Sequence, residues 1–267
     1  MTSNLIIVCL LTMVINTAET LSYSVRYAGV RLNKIAIALS LTGIIVLVSR
    51  TANMIQAPLT AKFVDVANKA AASGGSFPLL NYLQIIMLAA SLGTLIAIGL
   101  FPTFVGLFGR IISKLEIEGS LPKVLSSVTV GQLKNTRKYI RKPKVGLVNF
   151  RYLGIPKRFI IMNIFVTGFY TVGVLSSLYA AHLLPQFSTT ASQASGLING
   201  MATIMLTVFI DPQLGIITHK ATENVEYRDQ LGKIYVLLMG SRFLGTLLGQ
   251  LVLIPAAYLI SWLVQLI

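Results

Sequence analysis

Charged residues are scarce in this chain, and their scarcity decides its class. Only 11% of the 267 residues are Asp, Glu, Lys or Arg, whereas soluble domains carry about a quarter. The hydrophobic share is 55% and the mean hydropathy is +0.78. This composition excludes a soluble globular domain. It predicts an all-α, polytopic membrane helix bundle, formed as a single integral membrane domain over residues 1–267.

Cysteine, histidine and acidic residues are also rare, which limits the available chemistry. The single cysteine, Cys9, excludes a disulfide framework and a cysteine metal site. His182 and His219 are isolated, on opposite sides of the predicted membrane. The acidic residues inside apolar stretches, Glu19 and Asp211, are too few for a hydrated divalent metal. The patterns HExxH, GxSxG and GxxxxGK[ST] are absent. We therefore expect no enzyme: no catalytic residue, no metal and no cofactor.

Six apolar stretches are long enough to cross a bilayer, which takes a helix of roughly 20 residues. They cover residues 3–22, 35–57, 79–108, 159–184, 195–218 and 234–265. The first stretch has no basic segment before it, so we interpret it as a retained helix and not as a signal peptide. About six transmembrane helices are expected, three on each side of a polar central segment.

The two groups of three helices share a short repeat. Residues 92–95 and 244–247 both read LGTL, and a proline follows 10 or 11 residues after the start of each. Because each half contains an odd number of spans, the halves 1–108 and 159–267 would be inverted relative to one another. The sequence thus predicts an inverted 3+3 repeat, a layout that recurs in transporters with a site near the repeat interface.

Small residues recur at every fourth position in the third and sixth stretches. They are Ala89, Gly93 and Ala97 in the third, and Ser241, Gly245 and Gly249 in the sixth. Such spacing lets helix backbones approach closely. It favours tight packing within the bundle, with a homodimer as the alternative.

Basic residues are concentrated in the central segment. The chain has 22 Lys and Arg against 8 Asp and Glu, and 12 of the 22 lie in residues 110–158. In a membrane protein such a segment is typical of a cytoplasmic loop, which places both termini outside the cell. Residues 134–144 are expected to attract anionic phospholipid, and residues 116–140 to form an interfacial helix. Nucleic acid is not expected, because no aromatic platform accompanies the charge.

Polar side chains form one stripe on each of the first two predicted helices. At 100° per residue, each stripe falls within about 60–80° of arc, and Arg50 flanks the second. The members are Thr12, Asn16, Glu19, Tyr23 and Arg26 on the first helix, and Thr42, Ser49, Asn53, Gln56 and Thr60 on the second. Neighbouring stripes predict a shared polar cavity. The alternative for Glu19 alone is a side chain that reaches water or pairs with Arg26.

Two charges in the second half are predicted to pair. Asp211 and Arg242 each lie about eight residues from the cytoplasmic ends of adjacent spans, roughly 10–12 Å deep. We expect an ion pair between them that acts either as a register lock or as a gate for a charged substrate. Pro212 is predicted to break the fifth helix.

The segments 19–31 (ETLSYSVRYAGVR) and 47–59 (LVSRTANMIQAPL) resemble the Amj family, the alternate lipid II flippases of bacteria. The resemblance implies a protein of the bacterial cell membrane with six spans. It also implies transport of lipid II, an undecaprenyl-pyrophosphate-linked peptidoglycan precursor, from the inner to the outer leaflet. A lateral opening between helices would leave the polyprenyl chain in the hydrocarbon.

The predicted substrate-binding residues follow from the polar stripes and the intramembrane charges. Arginine bonds two phosphate oxygens at once, and hydroxyl and amide side chains suit sugars and peptide. The set is Asn16, Glu19, Tyr23, Arg26, Arg31, Ser49, Arg50, Asn53, Gln56, Asp211 and Arg242. Two alternatives remain open: an ion-coupled carrier of a small solute, or a membrane accessory protein of cell-envelope assembly.

Overall fold

Long helices dominate the computed structural model, which describes residues 2–120, 123 and 156–267. All regular structure in these ranges is helical, and six segments are long and apolar enough to cross a membrane. The helices are α1 (Thr2–Arg31), α2 (Ile35–Ala72), α3 (Leu79–Glu118), α4 (Lys157–Leu183), α5 (Ser188–Gln193), α6 (Ser195–Met205), α7 (Asp211–Glu223) and α8 (Val225–Leu266). The predicted all-α membrane bundle is confirmed. The basic stretch 134–144 and most of the predicted interfacial helix lie outside the described residues.

Most helices run past the apolar stretches that predict them. α2 continues to Ala72 and α3 to Glu118, well beyond residues 57 and 108. Hydropathy detects contact with lipid, whereas a helix continues beyond the lipid until a residue that caps it. Gly119, for example, ends α3 with a φ of 70°. The loop predicted between the first two spans shrinks to three residues, so that Arg26 and Arg31 lie on α1 itself.

The fifth span is built from several segments. Pro185–Phe187 forms a 3-10 turn before α5, and Leu206–Ile210 forms a π-helical turn that joins α6 to α7. At the break predicted at Pro212 the helix changes type: the π-helical turn ends at Ile210, α7 begins at Asp211, and the backbone stays helical through the proline. The wide turn explains this outcome: proline lacks an N–H and crowds the preceding turn, and a π-turn accommodates both.

The six spans pack as two groups of three. α1 packs against α2 and α3, whereas α4 packs against α8 and α6, and the groups meet mainly through α3, α1 and α8. Buried apolar side chains form two separate clusters, one around Tyr235 and Ile112 and one around Phe63 and Leu253. Between them, at mid-bundle, lies a layer that contains buried polar side chains such as Ser49. This layer positions the site described below.

The glycine of each LGTL segment lies in a tight contact between helices. A Cβ atom on Gly93 of α3 would come within 2.5 Å of a backbone oxygen of α1, and one on Gly245 of α8 within 2.6 Å of a backbone oxygen of α4. The predicted close packing of small residues within the bundle is confirmed. The two contacts join equivalent helices of the proposed halves, which supports the inverted repeat as a proposal.

Adding a methyl group at Gly93 should destabilise the protein, since the carbonyl of Met13 that it would meet belongs to a helix backbone. We expect Gly93→Ala to lower the melting temperature in detergent, at a cost of about 1–3 kcal/mol for overpacking. Gly99 is the matched control, because it lies on the same helix with nothing within 4 Å of its would-be Cβ. Gly99→Ala should be neutral or slightly stabilising. Equal melting temperatures for both variants would contradict the tight contact.

Candidate functional site

Two cavities occupy the middle of the bundle. The larger cavity has a volume of about 460 Å³ and is lined by α1, α2, α3, α4 and α6. The smaller cavity, of about 180 Å³, is lined by α1, α2, α4, the fifth span and α8. Four residues line both cavities, so they lie at the boundary between them: Glu19, Arg50, Tyr170 and Thr203.

The polar stripes of α1 and α2 face each other across the larger cavity. Seven stripe residues line it: Thr12, Asn16, Glu19, Ser49, Asn53, Gln56 and Thr60. The α1 stripe continues into the smaller cavity with Tyr23 and Arg26, and the α2 stripe with Thr42. The shared polar cavity predicted from these two helices is therefore confirmed.

Glu19 is the centre of a buried hydrogen-bonded cluster at the boundary of the cavities. The Arg242 Nη2 atom donates to Glu19 Oε2 at 2.8 Å, and the two side chains are only 11% and 14% exposed. Ser49 Oγ donates to Glu19 Oε1 at 2.8 Å, and the Tyr170 hydroxyl donates to the same oxygen at 3.3 Å. One carboxylate thus joins α1 to α2, α4 and α8. Pairing of this kind is what makes an ionised carboxylate tolerable inside a membrane.

The predicted ion pair between Asp211 and Arg242 is wrong. The carboxylate on Arg242 belongs to Glu19, and Asp211 forms no ion pair among the described residues. The alternative pairing of Glu19 with Arg26 is likewise wrong. Depth alone suggested the first pair, but α1 lies in contact with α8 and supplies its carboxylate at the same level.

The smaller cavity carries an excess of cationic groups. Arg26, Arg50 and Arg242 line it together with the carboxylates of Glu19 and Asp211. The Nε atoms of Arg26 and Arg242 are buried and have no hydrogen-bond partner among the described residues. Buried donors are normally bonded, so these two N–H groups leave hydrogen-bonding capacity unused in the side chains that form the wall of the cavity.

Most of the predicted site residues come together here. Ten of the eleven line one cavity or the other, and only Arg31 lies elsewhere. Its guanidinium is 5.8 Å from the centre of the Tyr27 ring, and Arg31 itself is the exposed last residue of α1. Arg50 is exposed although it lines both cavities, and it has no carboxylate within ion-pair distance among the described residues.

Sequence reasoning missed the contribution of α4. Tyr170 binds Glu19, and Asn163 donates from Nδ2 to Ser241 Oγ at 2.6 Å. Together with Thr167, these residues line the smaller cavity. Their spacing of three and four residues places them on one helix face, so the same wheel that identified the other stripes could have found this one.

The π-helical turn contributes to the smaller cavity. Leu206 and Ile210, its first and last residues, line that cavity, and Asp211 follows directly. Turns of this type leave part of the helix hydrogen-bond ladder rearranged and are frequent at functional sites. The turn therefore presents Asp211 to the cavity beside the boundary cluster.

Comparison with known proteins points to one family. A family model described as "Amj: Alternate to MurJ" matches residues 11–264. A curated relative, "Lipid II flippase Amj" of Bacillus subtilis (strain 168), is 40% identical over 269 residues, covering 99% of this chain and 97% of the relative. No solved structure matches.

Proposed function

This chain belongs to the Amj family, and on that premise we propose that it is a lipid II flippase of the bacterial cell membrane. The proposal is that lipid II, a polyprenyl-pyrophosphate-linked peptidoglycan precursor, moves from the inner to the outer leaflet while its head group passes through the two cavities. This activity is transport rather than catalysis.

One observation supports this function most strongly: the two cavities follow one another along the helices α1 and α2. On α1 they extend from Thr12 to Arg26, and on α2 from Thr42 to Thr60. At 1.5 Å per residue these stretches are about 21 and 27 Å long. The hydrocarbon core of a bilayer is about 30 Å thick. Polar side chains on the cavity walls are thus available to a head group over most of the distance that it must cross.

The charges suit a pyrophosphate in the smaller cavity. Three arginines against two carboxylates leave a formal excess of one positive charge at its wall. Arginine can bond two phosphate oxygens at once, and Arg26 has no hydrogen-bond partner for its buried Nε–H among the described residues. The larger cavity offers amides and hydroxyls, including Asn53 and Gln56, which can exchange hydrogen bonds with sugars and peptide.

The order of events follows from the proposed orientation, with both termini outside the cell. Arg26 lies toward the cytoplasmic end of α1, and Asp211 lies in the cytoplasmic half of the fifth span, so the smaller cavity is the inner one. Thr12 and Thr60 lie toward the opposite ends, so the larger cavity is the outer one. The head group would enter at Arg26, pass the Glu19 cluster, and leave through the larger cavity.

A leaflet-access assay tests the function directly. Cells depleted of their usual lipid II flippase are supplied with this chain, and lipid II in the outer leaflet is measured with a reagent that does not cross the membrane. We expect expression to restore the outer pool. No restoration by a chain that accumulates normally in the membrane would contradict the proposed function. Restoration lost only by deletions within residues 110–158 would favour the accessory-protein alternative.

Removing the amides of the larger cavity should impair the same assay. Asn53→Leu combined with Gln56→Leu removes two polar groups that line the cavity but keeps the helix apolar. We expect normal accumulation and roughly a tenfold loss of flipping, the effect of losing one or two hydrogen bonds of about 1 kcal/mol each. Thr51→Leu is the control, because Thr51 is an exposed residue of α2 that lines neither cavity.

A further inference from the structure

The walls of the two cavities are incomplete on one side. α2 and the fifth span line both cavities, yet among the described residues these two spans have next to no direct contact with each other. Each instead packs on its own neighbour, α2 on α1 and α6 on α4. The fifth span is also the least buried of the six: 17% of the residues in its most apolar 18-residue stretch are buried, against 50% in the corresponding stretches of α3 and α4.

The two faces of α2 differ in a way that locates the gap. Buried residues such as Ala38 and Phe63 lie on one flank of its polar stripe, the flank that packs against the bundle. The other flank carries Arg50, Ala57 and Met54, all exposed. Arg50 and Ala57 nevertheless line the larger cavity. The cavity therefore reaches the protein surface along this second flank.

The fifth span mirrors this arrangement. Ala202 is buried and Asn199 contacts Gly173 of α4, which defines the packed side of α6. On the side of α6 away from α4, Gly200 and Ile204 line the larger cavity and are also exposed at the protein surface. A Cβ atom on Gly200 would meet nothing within 4 Å, and the same holds for every glycine of α2, α6 and α7: Gly43, Gly196, Gly200 and Gly215. Glycines at α1–α3 and α4–α8 contacts, such as Gly93 and Gly245, are by contrast tightly covered.

The edges of the gap combine apolar and polar groups. Met54 and Met201 are 76% and 65% exposed, as expected for side chains in hydrocarbon. One helical turn from each of them, Arg50 lines both cavities and Ile204 lines the larger cavity. An arginine open to the hydrocarbon is costly unless a polar group accompanies it. A molecule with an anionic head and a long apolar tail satisfies both environments at once.

We propose that the gap between α2 and the fifth span is the lateral portal of the transporter, in which the polyisoprenoid tail of the substrate lies while its head group occupies the cavities. This inference rests on the proposed flippase function and specifies which helices the tail passes between. The tail stays in contact with Met54 and Met201, and the pyrophosphate reaches Arg50 without crossing a wall of packed side chains.

Photo-crosslinking tests the portal. A photoreactive amino acid is placed singly at Met54 and Met201, and at Leu251 and Ile6 as controls of matching exposure, 75% and 60%, on α8 and α1. Each protein is reconstituted with radiolabelled lipid II in phospholipid vesicles. Phospholipid adducts at all four positions serve as the reference for lipid contact. We expect the ratio of lipid II to phospholipid adducts to be about tenfold higher at the two portal positions than at the controls.

Equal ratios at all four positions, or higher ratios at Leu251 and Ile6, would overturn the portal. The leaflet-access assay on the same four proteins distinguishes failure of the portal from failure of the flippase function. If only the portal is wrong, lipid II flipping persists although no portal crosslinks form. A second variant gives an independent readout. Gly200→Phe fills the gap and should block flipping while the protein accumulates, whereas Gly99→Phe, also in open space but on α3, should flip normally. Full activity of Gly200→Phe would also count against the portal.

Discussion

Charge reversal at Glu19 alone should abolish flipping and deplete the protein from the membrane, and the further change of Arg242 to glutamate should recover much of both. Glu19→Arg places two arginines against each other at a site where both native side chains are more than four-fifths buried. Breaking a buried pair costs about 3–5 kcal/mol, because one charge is left without compensation. The double variant Glu19→Arg with Arg242→Glu restores the attraction.

Recovery should be greater for accumulation than for transport. The Ser49 and Tyr170 hydroxyls donate to the carboxylate at position 19, and they would face a guanidinium after the exchange. Membrane levels are measured by immunoblot and flipping by leaflet access. His219→Ala is the control, since the His219–Glu223 pair is exposed and contributes about 0–1 kcal/mol at most. A double variant no better than Glu19→Arg would rule out the pairing.

Replacing Arg50 with alanine should abolish or strongly reduce flipping without reducing the amount of protein. Arg50 is exposed, lines both cavities and has no carboxylate partner among the described residues, so its removal leaves no buried charge behind. Its guanidinium is the cation available to an anion at the portal. Loss of charge-assisted hydrogen bonds of about 1.5–3 kcal/mol predicts a fall of roughly 10- to 100-fold.

Two further variants sharpen this result. Arg50→Lys keeps the charge but cannot bond two phosphate oxygens in a fixed fork, so it should retain an intermediate activity. Lys62→Ala removes another exposed cation from α2 that lines neither cavity, and it should flip normally. If Arg50→Ala restores the outer pool fully, the polar-cavity mechanism is wrong.

The sequence predicted those features that depend on the periodicity of a single helix. Apolar length gave six spans, and the 100° wheel placed Asn16 and Asn53 on faces that meet in one cavity. Arg31 lies on the same helix but lines neither cavity, because five residues after Arg26 it lies about 140° around the helix from that last member of the stripe. Periodicity is a local property, so it transfers directly from sequence to structure.

Features that depend on which helices touch could not be obtained in this way. Depth matched Asp211 to Arg242, but Glu19 lies at an equivalent depth, and only the placement of α1 beside α8 decides between them. The location of the portal could not be predicted from the sequence either, since it depends on the lack of packing between α2 and the fifth span among the described residues. A polar stripe on one helix identifies one wall of a cavity. A gap between two helices can be recognised only when the positions of both helices are known.

The Glu19–Arg242 pair also has a consequence for how the bundle is made. Its two members are 223 residues apart in the chain, and Arg242 lies on α8, which is synthesised after the other described helices. At about 5–20 residues per second, roughly 10–45 s separate their emergence from the ribosome. During that interval α1 is already available to the bilayer while the carboxylate of Glu19 still lacks its arginine. The bundle is therefore completed only when α8 inserts, because Arg242 then pairs with the carboxylate of Glu19. A chain that stops short of α8 leaves Glu19 without this partner in the membrane.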